Sequence, residues 1–216
     1  MKKLGIVGIA VCLAGVGALT ATTRVAAESD HSYRCNNQTL TATTIHANVV
    51  VPENAFCDLS GARITGSVTV ERTAGLSLDS GSSVDHNVVV ERDGQVALFN
   101  GSTVGGSISC FKCSAADLHN SIVKGSLYDR GLTGGAFIES SQIGGTLLIL
   151  HSQGDGVGFT VTGNTIGEDF SFVHNTGSST IAGNSIEDEL NCKDNTPPPA
   201  GGGNTAADKD GQCAGL

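Results

Sequence analysis

The chain is organised around a repeat whose clearest copy reads Ile64-Thr-Gly-Ser-Val-Thr-Val-Glu-Arg-Thr-Ala-Gly-Leu-Ser-Leu-Asp-Ser-Gly-Ser-Ser83. The pattern begins again at Val84 and extends from about residue 45 to residue 193. Every unit opens with a branched aliphatic residue, namely Ile45, Ile64, Val84, Val104, Val123, Ile143, Ile166 and Ile186. Their spacings are 19, 20, 20, 19, 20, 23 and 20 residues. A period held this closely over eight units indicates stacked structural repeats.

Within each unit, apolar and polar residues alternate in the manner of a strand with one buried face. Val68 and Val70 form one alternating pair, and Leu76 and Leu78 form a second pair eight residues later. Helices are excluded because no apolar stripe has a helical period and glycine recurs too often for helix interiors. One unit is too small to bury its apolar residues alone, so the units must stack.

The repeat therefore predicts an all-β fold, a right-handed parallel β-helix of about eight coils. The handedness follows from the strong right-handed preference of connections between parallel strands. Three residues before each anchor stands a residue for a sharp corner, in most units glycine. The next position is usually Ser or Asn, so stacking predicts a hydrogen-bonded ladder of small polar side chains along the rod.

The predicted organisation has four parts. Residues 1–27 read as a signal peptide, with Lys2-Lys3, an apolar run, and Val25-Ala26-Ala27 as the cleavage site. The alternative is a retained membrane anchor, for which the apolar run is short. Residues 28–44 are predicted to be an N-terminal cap, residues 45–193 the β-helix, and residues 194–216 a Pro/Gly-rich C-terminal tail or cap.

Six cysteines remain after the predicted cleavage, an even number that indicates three disulfides in an exported chain. The repeat favours sequential pairing of Cys35 with Cys57, Cys110 with Cys113, and Cys192 with Cys213. The first pair would tie the N-terminal cap to the first coil, and the last would fold the tail over the final coil. A thiol redox centre at Cys110-Phe-Lys-Cys113 is the alternative for the middle pair.

The composition and net charge of the chain argue against several classes of function. The 216 residues carry a net charge of −9 and contain no Trp, two Tyr and seven Phe. Loss of Lys2, Lys3 and Arg24 with the signal peptide leaves nine basic and 21 acidic residues, a net charge of −12. That charge opposes binding to nucleic acid or to anionic membranes. No histidine spacing, nucleophile motif or phosphate loop predicts a metal, a cofactor or catalysis.

Three surfaces are candidates for function. The sixth coil has a long loop with His151 and Asp155, which suits a cation or acid–base pair but is also typical of a tolerated turn. A charged turn series (Glu71-Arg72, Glu91-Arg92-Asp93, Phe111-Lys112 and Asp129-Arg130) is interpreted as a solvated face of stacked ion pairs. The third is a candidate interaction face on the outward side of the first long strand, formed by Val89, Phe111, Tyr128, Leu148, Leu150 and Val173, with Val50 beside them. The alternative is that a tail or cap of the same chain covers these residues.

The sequence of the C-terminal tail resembles that of a group of known proteins. Its sequence Asn191-Cys-Lys-Asp-Asn-Thr-Pro, followed by Gly-Gly-Gly-Asn-Thr and Gly-Gln-Cys213, resembles the ending of uncharacterised secreted actinobacterial proteins with similar Gly-punctuated repeats. The resemblance implies export and a solenoid, and it implies no activity or site residues. The repeats are also similar to those of the bactofilins, polymer-forming β-solenoids that are cytoplasmic, lack disulfides and have a shorter repeat.

These observations predict a secreted, non-catalytic binding or structural module, extracellular or associated with the cell wall. Its partner is expected to be a surface ligand or a second copy of the chain. A self-assembling structural protein is the alternative, and a polysaccharide-acting enzyme ranks third because such enzymes need clustered carboxylates and aromatic platforms. A flat uncovered apolar face would favour assembly, and a concave groove with scattered polar groups would favour a ligand.

Overall fold

The computed structural model describes residues 24–25 and 32–216, which form three parallel sheets and no helix. Within this part of the chain, nothing helical is long and apolar enough to span a membrane. The predicted parallel β-helix is confirmed. The predicted signal peptide lies outside the described residues except for Arg24–Val25, a short strand that precedes the predicted cleavage point and pairs with Thr44–Ile45.

Each coil visits the three sheets in the order A, B, C. Sheet A contains the two-residue strands Arg24–Val25, Thr44–Ile45, Arg63–Ile64, Ser83–Val84, Thr103–Val104, Ile122–Val123, Gln142–Ile143, Thr165–Ile166 and Ser185–Ile186. Sheet B contains Ser32–Arg34, Asn48–Val51, Val68–Val70, Val88–Val90, Ile108–Phe111, Leu127–Arg130, Leu147–Leu150, Phe170–Val173, Glu189–Lys193 and Asp208–Gly211. Sheet C contains Gln38–Thr41, Phe56–Ser60, Gly75–Asp79, Gln95–Leu98, Ala115–His119, Ala136–Glu139, Phe159–Thr162, Ser179–Ala182 and Ala200–Gly202.

Equivalent residues of successive coils pair in register, so each repeat position forms a column along the rod. Val88 pairs with Val68 on one side and with Ile108 on the other, and all three side chains are buried. Because the side chains of a strand alternate between faces, the apolar residue of each pair enters the core and its neighbour faces solvent. Full burial of such a side chain contributes roughly 1.5–3 kcal/mol, and stacking repeats this gain in every coil.

The corners between sheets C and A need left-handed backbone, as the repeat predicted. The residues three before the anchors all have positive φ, between 46° and 78°: Ala42, Gly61, Gly81, Gly101, Asn120, Ser140, Gly163 and Gly183. Glycine adopts this conformation without steric cost, and asparagine tolerates it better than most residues. A corner of this kind lets sheet C turn into the short strands of sheet A within a few residues.

The predicted polar ladder follows directly after these corners and is buried. In its C-terminal half, Asn164, Asn184 and Asn204 each accept the backbone N–H of the coil before, at 2.9 to 3.0 Å. Their side-chain amides donate to buried backbone carbonyls, Asn184 to that of Val161 at 2.8 Å. These bonds satisfy backbone groups that the sharp corner leaves outside the sheets, where an unpaired group would be costly.

A second ladder, which was not predicted, lies at the corner between sheets B and C. Ser152 donates its backbone N–H to Asn175, and Asn175 donates its own to Asn195, at 2.9 Å in each case. The same chain of bonds ends at Gln212, which accepts the backbone N–H of Asn195. The tail thus completes the ladder of the last coils.

Both ends of the rod form partial coils, so the solenoid has about nine turns where about eight were predicted. Segment 28–44 contributes Ser32–Arg34 and Gln38–Thr41, and the tail contributes Ala200–Gly202 and Asp208–Gly211. The second half of segment 28–44 was expected to be strand-like, whereas Ser32–Arg34 and the strands of the tail are polar and the apolar pattern did not reveal them. The edge strands of the tail are glycine-rich or charged, which discourages further pairing at that end.

The three disulfides join the predicted partners. Cys35 binds Cys57 and Cys192 binds Cys213, with Cα–Cα distances of 5.6 and 5.2 Å, and these bonds anchor the two end segments. Cys110 binds Cys113 across one turn, with a Cα–Cα distance of 5.6 Å. Disulfides persist in oxidising surroundings, so they indicate an extracellular or similarly oxidising compartment.

Replacing both Cys192 and Cys213 with alanine is expected to lower the free energy of unfolding by about 3 kcal/mol. The disulfide closes a loop over a sequence separation of 21 residues. Opening a loop of this length raises the conformational entropy of the unfolded chain, which lowers the free energy of the unfolded state by about 3 kcal/mol. Hydrogen exchange should show lost protection in Asp208–Gly211 while Leu147–Leu150 stays protected. Unchanged exchange in the tail would contradict its role as a disulfide-held cap.

Candidate binding surface on sheet B

The outward residues of sheet B form two columns on one side of the rod. The pairing places Val89, Ser109, Tyr128 and Leu148 in one column. The other column contains Phe111, Arg130, Leu150, Val173 and Lys193. All six residues of the predicted candidate interaction face therefore lie on this surface, which we call the apolar face.

The apolar face is uncovered at its centre. The exposed fractions are 57% for Phe111, 44% for Val89 and 42% for Tyr128, while Leu148, Leu150 and Val173 are half-buried. A shallow groove of about 370 Å³ is lined by Val89, Phe111, Tyr128 and Leu148, together with Ser109 and Arg130. Neither end segment of the described chain covers this groove, because both segments pair at the ends of the sheet.

Charges on this side of the rod are of both signs near the N-terminal end and basic toward the C-terminal end. Glu91 follows Val90 and so lies next to Phe111 toward the N-terminal end, where Glu53, Glu71, Arg72 and Arg92 are grouped around a further groove. Toward the other end, Arg130 and Lys193 lie in the same column. From Ile108–Phe111 to Phe170–Val173, the outward positions contain no acidic residue.

The charged turn series is a solvated ion-pair network for its N-terminal members. Arg72 donates to Glu53 at 2.8 Å, with the two side chains 57% and 47% exposed, and the carboxylate of Glu71 accepts the backbone N–H of Glu53 at 3.0 Å. Exposed pairs of this kind contribute little stability because water screens them. The interpretation as a solvated face is correct for these residues.

Asp129 corrects the prediction for the same series. It was assigned to a solvated turn, but it lies inside the rod with no exposed surface, paired between Cys110 and Ile149. Both of its carboxylate oxygens lack a hydrogen-bond partner. Burial, with a smaller contribution from the charge of Asp117, raises the pKa of Asp129 from its ordinary value of 3.8 to about 8.

Two histidines that are distant in the sequence are neighbours in the fold. His151 and His174 are 23 residues apart, yet their ring centroids lie 4.9 Å apart because the long sixth coil makes them neighbours. His174 also lies 3.3 Å from Asp194. Across residues 24–25 and 32–216, no three His, Cys, Asp or Glu side chains are grouped closely enough to hold a metal ion.

Sheet C has an outward aromatic cluster that composition did not reveal. The rings of Phe99 and His119 stack with centroids 5.4 Å apart and an interplanar angle of 6°. Phe137 follows His119 at 6.5 Å, and Phe56 lies at the other end of the same surface, 42% exposed. Phe56, Phe99 and Phe137 are three of the seven Phe of the chain. Their shared surface becomes apparent only when the register between the coils is known.

Comparison of the chain with protein-family models, with characterised proteins and with solved structures gives no match.

Proposed function

We propose that the protein is a secreted, non-catalytic structural module whose rods pair side by side through the apolar face. The three disulfides and the predicted signal peptide support export to an extracellular location, at the cell wall or beyond it. The partner is a second copy of the chain. The observation that carries the proposal is the self-complementary order of residues along the two columns of sheet B.

The complementarity appears when two rods are placed antiparallel, with a two-fold axis between Leu127–Arg130 and Leu147–Leu150. Tyr128 then meets Leu148 of the second copy, and Phe111 meets its Val173. Arg130 lies on the partner's Leu150, so the two arginines do not oppose each other. A two-fold contact of this kind uses the same patch on both copies and closes at two chains.

The same arrangement brings opposite charges together at both rims. Glu91 lies two coils before Leu127–Arg130, the strand on one side of the axis, and Lys193 lies two coils beyond Leu147–Leu150, the strand on the other side. Each therefore faces the other across the interface. Charges at a rim set orientation and the rate of association more than the affinity.

The size of the face predicts a weak dimer. Six coils at ~4.8 Å spacing and a width of about four residues give an area of about 400 Å² per partner. A stable interface buries about 800 Å² per partner, so the pair should exchange rapidly, with a dissociation constant in the micromolar to millimolar range. Weak pairing is useful where many modules are held close together at a surface, because local concentration raises occupancy.

The test is the dimer dissociation constant measured by sedimentation equilibrium for matched variants. Phe111→Ser with Tyr128→Ser removes the two exposed aromatic anchors, and we expect it to weaken the dimer at least tenfold. Val157→Ser is the control, because Val157 is 55% exposed but lies in the loop of the sixth coil, away from sheet B. It should leave the dissociation constant unchanged within about twofold.

Charge reversal tests the antiparallel orientation. Glu91→Lys and Lys193→Glu should each weaken the dimer about three- to tenfold at low salt, because each places like charges face to face. The double reversal should restore most of the lost affinity. A double variant as weak as the two singles combined would contradict this orientation, and unchanged single variants would exclude both residues from the interface.

A further inference from the structure

A groove on the outward surface of sheet C forms a second site, separate from the apolar face. Its floor consists of Ser77 and Ala97, which are neighbours in the middle column of the sheet. Phe56 and Phe99 stand on opposite sides of this floor, and Asp117 closes the column at one end. The groove has a volume of about 240 Å³, enough for a compact molecule and too small for a folded partner.

Gly75 leaves the space that one wall of the groove occupies. A β-carbon at this position would lie 2.6 and 2.9 Å from ring atoms of Phe56 and 3.0 Å from the side-chain nitrogen of Gln95. The phenyl ring and the amide therefore meet above a residue without a side chain. Both side chains line the groove, and the amide adds a polar group beside the ring.

Asp117 gives the groove its charge. The carboxylate is half-buried and accepts the backbone N–H of Phe137 at 3.0 Å. Desolvation raises its pKa above the ordinary value, while the Phe137 hydrogen bond and the nearby His119 lower it. No lysine or arginine lines the groove. A partly desolvated carboxylate at the end of a groove that phenyl rings flank attracts a positively charged group.

We propose that this groove binds a small organic cation, an ammonium group carried on a compact apolar body. The carboxylate of Asp117 pairs with the charge. Phe56 and Phe99 contact the apolar body, and Phe56, whose ring is not stacked on His119, adds cation–π attraction. Ser77 and Ala97 are small enough to let the ligand approach the sheet. Because sheet C lies on another side of the rod from sheet B, pairing through the apolar face leaves the groove open.

Choline and its uncharged analogue 3,3-dimethylbutan-1-ol have the same shape and test the proposal directly. Amide chemical shifts of the mature chain, residues 28–216, should move on addition of choline at Ala97, Phe99 and Phe137. A ligand of this size should bind with a dissociation constant in the millimolar range. The uncharged analogue should bind at least tenfold more weakly.

Two variants assign the binding to the groove. Asp117→Asn keeps an oxygen to accept the Phe137 N–H and removes the charge, so the fold should persist and choline binding should fall at least tenfold. Asp155→Asn, an exposed loop carboxylate, is the matched control and should bind as the natural chain does. Equal binding of the neutral analogue, or no effect of Asp117→Asn, would overturn the proposal.

The proposal stands apart from rod pairing. The dimer-weakening pair Phe111→Ser with Tyr128→Ser should bind choline with unchanged affinity. Loss of choline binding in that variant would place the cation site at the dimer contact and so contradict the assignment to sheet C.

Discussion

Replacing Asp129 with valine is expected to raise the free energy of unfolding at pH 7 by about 4 kcal/mol. The folded chain holds this carboxyl neutral with a pKa of about 8, whereas the ordinary value is 3.8. Between those values the folded state binds one proton more than the unfolded state, which costs about 1.4 kcal/mol of stability per pH unit. Valine occupies the equivalent position in three earlier coils, as Val51, Val70 and Val90, so its shape suits the column.

The pH dependence of the stability tests whether the buried carboxyl of Asp129 causes this effect. The natural chain should be most stable below about pH 4 and lose stability as the pH rises toward 8, and this loss should be much smaller in Asp129→Val. At pH 7 the variant should melt roughly 10 °C higher for a domain of this size. Asp155→Val, which changes an exposed aspartate in the long loop, should keep the pH dependence of the natural chain. A natural chain with equal stability at pH 4 and pH 8 would show that Asp129 is not buried as a neutral acid.

Replacing Asn184 with alanine is expected to lower the free energy of unfolding by about 3–4 kcal/mol. Its side-chain oxygen accepts both the backbone N–H and the side-chain amide of Asn164, and its amide donates to the carbonyl of Val161. All of these groups are buried, so the substitution leaves donors and an acceptor unpaired where water does not replace the lost partner.

Asn87→Ala is the matched control for the ladder. Asn87 also accepts a backbone N–H of the next coil, that of Ser107 at 2.8 Å, but it does so at an exposed corner. Water can replace that bond, and the cost should stay below about 1 kcal/mol. Chemical denaturation of both variants measures the difference. Equal losses would mean that the buried ladder adds no more than a surface hydrogen bond does.

The repeat predicted the architecture because a two-residue alternation and a 20-residue period restrict the chain to very few structures. The anchors such as Ile64 and Val84, the positive-φ corners and the ladder after them all follow from that pattern. The disulfide partners followed from the same period, since Cys35 and Cys57 are about one coil apart. The end strands were missed because Ser32–Arg34 and Asp208–Gly211 have no apolar alternation and form through backbone pairing with the adjacent coil.

The sites were harder to predict for a physical reason. The columns of the apolar face could be found because Leu148 and Leu150 break the expected polar alternation within a single strand. The groove on sheet C requires the register between strands, since Phe56, Phe99 and Asp117 are distant in sequence and come from different positions of the unit. Asp129 was misassigned because a charge beside Arg130 normally indicates a turn, and only the alternation of Leu127–Arg130 places it inside. The resemblance of the tail to secreted actinobacterial proteins stays a prediction.

The proposed pairing of two rods through sheet B closes at two chains. It is tested by the mass of residues 28–216, the chain without the predicted signal peptide, measured by light scattering from micromolar to millimolar concentration. We predict a rise from the mass of one chain to the mass of two, with a plateau there. A mass that stays at one chain throughout would contradict pairing, and growth beyond two chains would contradict the closed two-fold contact.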